Sequence, residues 1–232
     1  DVAELTALES LACSNTGITV LDVAELTNLK TLDCVSTGIT ELDVTALINL
    51  EWLYCYNTGI TVLDVANLTK LTNLDCSNIG ITELDVAELS ELTFLNCANT
   101  GITQLDLSQM VNLKTLFAQN TLLRTIEVAA GYTVGTASSG TTLEFALPTP
   151  IREGYTFLGW YTAETGGEPV ETGDTFAQAT TLYAHWQNNC THSWGDAACI
   201  EKRTCTLCGE VEAEARGHQE ETIPGKAATC TE

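Results

Sequence analysis

Apolar and polar positions recur with one fixed period along the first half of the chain. The clearest copies are LESLACSNTGITVLDVAEL and LTNLDCSNIGITELDVAEL, and Cys13, Cys34, Cys55, Cys76 and Cys97 follow one another at intervals of 21 residues. Leu stands five and two residues before each Cys, Ile five after it and Leu eight after it. A sixth copy, residues 113–128, keeps these apolar positions but carries Ala118 in the Cys slot. One coil of this size cannot bury its own apolar face, so successive coils must stack their Leu, Cys, Ile and Val into a shared core. The alternation around each Cys predicts one short strand per coil, the strands stacking in parallel about 4.8 Å apart. Gly17, Gly38, Gly59, Gly80 and Gly101 are expected to give the backbone freedom for the turn that follows each strand.

Over residues 1–128 the phrase L-x-x-L-x-C-x-x-T-x-I-x-x-L resembles the bacterial leucine-rich-repeat family, in its internalin-like form. The resemblance implies a solenoid with a concave strand face and short helical or 3-10 turns on the convex side. The two polar-looking columns have structural readings. Ala118 in the Cys slot makes the five thiols small inward fillers, free rather than paired, since in-register parallel Cβ vectors fit a disulfide torsion badly. Asp22, Asp43, Asp64, Asp85 and Asp106 form an acidic column. The DVAE pattern, with Glu three residues after Asp, reads as a capping box rather than a calcium ladder.

Function is expected where the pattern breaks. Outward strand positions alternate with the buried Leu and Cys, and most are small or polar. The third coil instead presents Trp52, Tyr54 and Tyr56, flanked by Asp33 and Asp75, with Phe94 and Phe117 further along. Contiguous exposed aromatics rimmed by acids are the anatomy of a recognition surface. These seven residues are the candidate ligand site, with a protein or a glycan as ligand.

After residue 128 the composition shifts toward Gly, Ser and Thr. The segment from Leu147 to Trp186 contains Pro148-Thr149-Pro150, Gly154-Tyr155-x-Phe157-x-Gly159-Trp160-Tyr161, Gly166-Gly167 and Leu182-Tyr183-Ala184-x-Trp186. It resembles the Listeria–Bacteroides B repeat of internalins and other bacterial surface proteins. That resemblance implies a small β-grasp-like spacer domain over 129–186, which would also cover the open end of the solenoid. Tyr155, Phe157, Trp160, Tyr183 and Trp186 are expected to pack as its core. Residues 187–232 form a third, truncated segment in which Cys199, Cys205, Cys208 and His218 are spaced C-x5-C-x2-C-x9-H. The knuckle suits a structural zinc, as in a zinc-ribbon-like module, and the segment is similar to Cys/His-rich repeats appended to surface proteins. Disulfide pairing, and an unpaired or disordered segment, stand beside zinc as the alternatives for these cysteines.

Charge narrows the partners. Nine Lys and Arg face 31 Asp and Glu, a formal net charge of −22, which sets nucleic acid and anionic membranes aside. No apolar run approaches the roughly 18 residues of a membrane span. His185, His192 and His218 lie outside the solenoid, and no nucleophile motif or phosphate-binding glycine loop accompanies them, so no enzyme is expected. Asp1 begins within one repeat and Glu232 ends within another pattern, as in a piece excised from a longer exported protein. The expectation is an extracellular, cell-surface binding protein. A ligand-free stalk and an accessory region of a larger secreted enzyme are the alternatives.

Overall fold

The computed structural model describes residue 2, residues 4–135 and residues 144–190. Six coils stack into a solenoid. Each contributes a three-residue strand to one parallel sheet: β1 Ser10–Ala12, β2 Thr31–Asp33, β3 Trp52–Tyr54, β4 Asn73–Asp75, β5 Phe94–Asn96 and β7 Thr115–Phe117. The register is constant, Leu32 opposite Leu53 and Leu53 opposite Leu74, so identical repeat positions form straight columns. Strands are short because only the middle residue points inward before the next Cys turns the chain. Cys34, Cys55, Cys76 and Cys97 are fully buried free thiols, and Cys13 in the first coil is half-buried. The peptide N–H of each donates to a carbonyl of the next coil, as Cys55 does to Asp75 at 2.9 Å.

The turn after each strand corrects the expectation for the glycine column. The left-handed residue is Asn15, Ser36, Asn57, Asn78, Asn99 or Asn120, with φ between 53° and 58°, two positions after each Cys or Ala118. Asn tolerates that region because its short polar side chain bonds locally. The GIT glycines have ordinary φ. They are glycine because coils touch there: a Cβ on Gly59 would lie 2.9 Å from Thr40 Cγ2 and 3.2 Å from the Ile39 carbonyl oxygen. Gly17, in the first coil, meets nothing within 4 Å.

The convex side is likewise turns, and no helix forms among the described residues. Asp22, Asp43, Asp64, Asp85 and Asp106 each accept the N–H of the residue two positions on, at 2.8–3.2 Å. These are Asx turns. Two successive turns follow, closed in the second coil by Leu26 N–H to the Val23 carbonyl and Leu29 N–H to the Leu26 carbonyl, both 2.9 Å. The carboxylates satisfy backbone donors as expected, but they start a double turn, so the helix that a reciprocal Glu bond would cap is absent.

Coils five and six each add a second strand on another side, β6 Gln104–Leu107 and β8 Thr125–Val128, paired in parallel. Here the later segment joins the solenoid. Strand β12 Thr180–Asn188 pairs antiparallel with β8, and β11 Tyr155–Tyr161 extends the sheet to the order β11-β12-β8-β6. Two further strands, β9 Thr133–Val134 and β10 Glu144–Phe145, form a small parallel pair. The segment before β11 follows the last coil: Asn120 N–H donates to the Thr149 carbonyl at 3.2 Å, and Ile151 N–H to the Thr121 carbonyl at 2.7 Å. Tyr132, Phe145, Trp160 and Leu182 are buried in the same hydrophobic cluster as the solenoid leucines. The Trp160 indole N–H donates to the Pro148 carbonyl at 2.8 Å, and the Tyr132 hydroxyl to the Phe145 carbonyl at 2.7 Å. Phe157 meets Trp160 edge-on and Trp186 in a tilted contact, ring centroids 5.8 Å and 5.3 Å apart, and Phe157 and Trp186 stay half-buried. Residues up to Gln187 form one compact unit, and a second unit begins at Asn188.

Candidate functional site

The constant register turns the outward positions of the first sheet into rows. One row reads Ser10, Thr31, Trp52, Asn73, Phe94, Thr115; the next reads Ala12, Asp33, Tyr54, Asp75, Asn96, Phe117. Tyr54 therefore has an aspartate on the neighbouring coil at each side, one strand spacing (about 4.8 Å) away along the row. Trp52 is 46% exposed and meets Tyr54 edge-on, ring centroids 6.3 Å apart. Phe94 and Phe117 form a second T-shaped pair at 6.0 Å, with Phe117 39% exposed. Coil four, carrying Asn73 and Asp75, separates the two aromatic pairs.

A concavity of about 490 Å³ lies over these rows, lined by Ser14, Asn15, Asp33, Val35, Tyr54, Tyr56, Asn73, Asp75 and Phe94. Five of the seven expected site residues thus meet in one hollow. Trp52 and Phe117 stand beside it through their ring contacts. The third expected row is shallower than the strand pattern suggests. Val35, Ser77 and Ala98 are buried while Tyr56 stays half-exposed, because the chain is already turning inward after the Cys. Asn15 was not legible as a lining residue, since its part follows from the left-handed turn.

The two aspartates are held, not loose. Asp33 accepts the Val35 N–H on Oδ1 at 3.1 Å and the Ser14 hydroxyl on Oδ2 at 3.2 Å. Asp75 accepts the Ser77 N–H at 3.1 Å and the Ser77 hydroxyl at 2.7 Å on Oδ1, and the Asn96 amide on Oδ2 at 3.0 Å. A carboxylate offers roughly four acceptor positions, so each retains capacity toward the hollow. Burial pushes the Tyr54 phenol above its ordinary pKa, and the Asp75 and Asp33 charges push it in the same direction. Tyr54 is therefore a neutral hydroxyl between two negative charges.

The remaining candidates separate from this site. His185 stacks on Tyr161 at 3.9 Å and its Nε2 lies 2.8 Å from the Ala163 carbonyl oxygen, a packing role. Cys199, Cys205, Cys208 and His218 lie outside the described residues, as do the other residues beyond Cys190. Among the described residues no group of three or more His, Cys, Asp or Glu is placed to hold a metal ion. No helix there is long and apolar enough to cross a membrane.

Comparison with known proteins agrees with this architecture. Residues 127–185 match the Listeria-Bacteroides repeat domain. In structure the chain is similar to an internalin (inlF) from Listeria monocytogenes, with a TM-score of 0.51 and 25% identity over 65% of this chain and 45% of that one. An internalin C2 from the same species is similar with a TM-score of 0.41, at 21% identity over 64% of this chain and 83% of that one. A leucine-rich-repeat protein of Leptospira interrogans gives 0.43, at 23% identity over 54% of this chain and 40% of that one. In sequence, 70 residues are 40% identical to a putative Gly-rich membrane protein of Evansella cellulosilytica, covering 28% of this chain and 8% of that protein. The chain thus spans less than half of the internalin inlF and a small part of the Evansella protein. The first part is a leucine-rich-repeat-like solenoid similar in fold to that internalin, followed by a segment, residues 127–185, that matches the Listeria-Bacteroides repeat.

Proposed function

We propose that this chain is the recognition region of an exported bacterial surface protein, and that the groove around Trp52, Tyr54 and Tyr56 binds a protein or glycan ligand. The single observation that carries this reading is the composition of the sheet rows. In a solenoid whose coils are otherwise near-copies, one coil places Trp52 and Tyr54 beside an open hollow, where exposed aromatic rings have no core to fill. Large rigid rings partly desolvated beforehand give up little entropy on binding, which is why they dominate interface energetics. The repeat at 127–185 then serves as cap and spacer. It joins through β8 and β12, in a sheet other than the one bearing the aromatics, so it leaves the groove open. Cys199, Cys205, Cys208 and His218 are assigned to a structural zinc. Metal analysis with thiol counting tests that assignment: quantitative disulfides without zinc would replace it.

The groove is tested by screening the wild-type chain against arrays of surface proteins and glycans, with Trp52→Ala and Tyr54→Ala in parallel. Each variant should lose about 30-fold or more in affinity, the range of a hot-spot residue. The melting temperature of Trp52→Ala should stay within about 2 °C of wild type, since an exposed side chain carries little fold stability. Variants that melt early, or a wild-type hit unaffected by either change, would reassign these rings to packing and leave the chain a spacer.

A further inference from the structure

The groove's charge says more about its occupant than its shape does. The chain carries 31 acidic residues, yet among the eighteen strand and strand-exit positions that alternate with the buried Leu and Cys only Asp33 and Asp75 are charged, and none is Lys or Arg. Both aspartates sit in one row, on either side of Tyr54. Their placement is local to the aromatic coil and is no sample of the general acidity.

We propose that, within the binding reading above, this groove takes a cationic side chain, arginine or lysine, presented by a protein ligand. The cation rests on the Tyr54 ring beside Trp52, with Asp33 and Asp75 as its counter-ions. Three physical points support this. A guanidinium or ammonium is attracted to the face of Tyr or Trp, and more strongly when partly desolvated. Charged donors satisfy the remaining acceptor positions of held carboxylates better than neutral ones. A neutral partner would have to desolvate two anions without replacing their hydration by an opposite charge. Elsewhere this chain already seats a guanidinium on a tyrosine, with Arg152 Cζ 3.7 Å from the Tyr155 ring centroid. The aspartates also resist displacement, because Val35, Ser14, Ser77 and Asn96 fix their orientation before any ligand arrives.

The probes are an arginine-rich decapeptide, the same peptide with citrulline at every arginine, and a neutral hexasaccharide, each titrated against the whole chain. The arginine peptide should bind at least tenfold more tightly than the citrulline peptide, and the hexasaccharide should not compete. Asp33→Asn and Asp75→Asn should each weaken the arginine peptide about tenfold. The paired control Asp64→Asn with Asp85→Asn removes the same two charges from the convex turns, where Asn still makes an Asx turn, and should change affinity less than twofold. Equal losses in site and control variants, equal binding of both peptides, absence of binding by wild type, or competition by the sugar would each overturn the proposal. If Trp52→Ala abolishes binding of a partner found by the array screen while Asp33→Asn and Asp75→Asn leave it intact, the groove stands and the cation assignment falls. If Trp52→Ala leaves that partner's binding intact, the groove itself falls.

Discussion

Gly59→Ala and Gly17→Ala change the same residue of the same repeated phrase, and the structure gives them opposite signs. At Gly59 the added methyl would meet Thr40 Cγ2 at 2.9 Å and the Ile39 carbonyl oxygen at 3.2 Å. Thr40 is exposed and its side chain can rotate away, but the Ile39 oxygen is backbone. It also accepts the Gly59 N–H at 2.8 Å. Relief therefore needs the two coils to part at the bond that joins them. Overpacking of that kind costs about 1–3 kcal/mol, which for a chain of this size is roughly 2–10 °C in melting temperature. At Gly17 nothing lies within 4 Å and φ is not positive. Alanine there restricts only the unfolded chain and should stabilise by about 0.4–1 kcal/mol. Two variants at a third position close the comparison. Asn57→Gly at φ 55° should be close to neutral, whereas Asn57→Ala pays the left-handed penalty of about 1 kcal/mol. Urea unfolding followed by far-ultraviolet circular dichroism measures all four. If both glycine variants lost stability equally, the glycines would be conformational and the close-contact explanation would be wrong.

The thiol column makes stability depend on alkaline pH. Burial pushes the Cys34 and Cys97 thiols up to about 12 from 9.0. Groups whose folded pKa is raised stabilise fully below the unfolded value and lose that contribution as pH rises toward the folded one. Between about pH 9 and 12 each thiol should therefore remove about 1.4 kcal/mol of stability per pH unit. Urea titrations at pH 8, 9.5 and 10.5 should show the fall, and Cys34→Ala with Cys97→Ala should make it shallower while the buried Cys55 and Cys76 thiols, also raised, keep the remainder; an unchanged slope would refute the assignment. Leu182 is fully buried beside the last coils, so Leu182→Ala should cost about 2–5 kcal/mol. Hydrogen exchange should show the loss concentrated in β7 and β8 and fading toward β2, since each coil touches only its neighbours. Uniform deprotection from β1 to β8 would contradict that picture.

The inward columns of the solenoid were legible because they are redundant. Six copies of one spacing leave a single way to bury Leu, Cys and Ile together, and the six-strand sheet follows that spacing coil for coil. The outward aromatics were legible for the complementary reason, as departures from the copy. What was misread lies where two physical causes produce the same residue. Glycine serves both a left-handed turn and a close approach, and the backbone angle at Gly59 together with its distance to coil two separates them. Asp opens a helix cap and an Asx turn alike, and the choice at Asp22 depends on whether the next residues continue as helix or turn again. Tyr132 and Phe145 escaped notice because no repeat marks them. Their burial arises from a contact between segments on either side of residues 136–143, with ring centroids 4.6 Å apart.

The same redundancy explains where recognition can evolve in such a chain. An inward position is constrained from both sides, because replacing Leu53 disturbs Leu32 and Leu74 in the same column. An outward position is constrained by neither, provided its side chain does not collide along the row. Trp52 has Thr31 and Asn73 as row neighbours, both small enough to leave its ring free, and Tyr54 has the two aspartates. The segment after the last coil attaches by a different sheet, through β8 and β12. Its large aromatic core is therefore paired with the end of the solenoid and not with the groove. Stability is thus supplied by columns that must be uniform, while the rows are free to differ, and the proposed selectivity would lie in them. Among the described row positions Tyr54 alone is an aromatic flanked by charge on both sides, and under the proposed reading the ligand is set by what can sit against that ring.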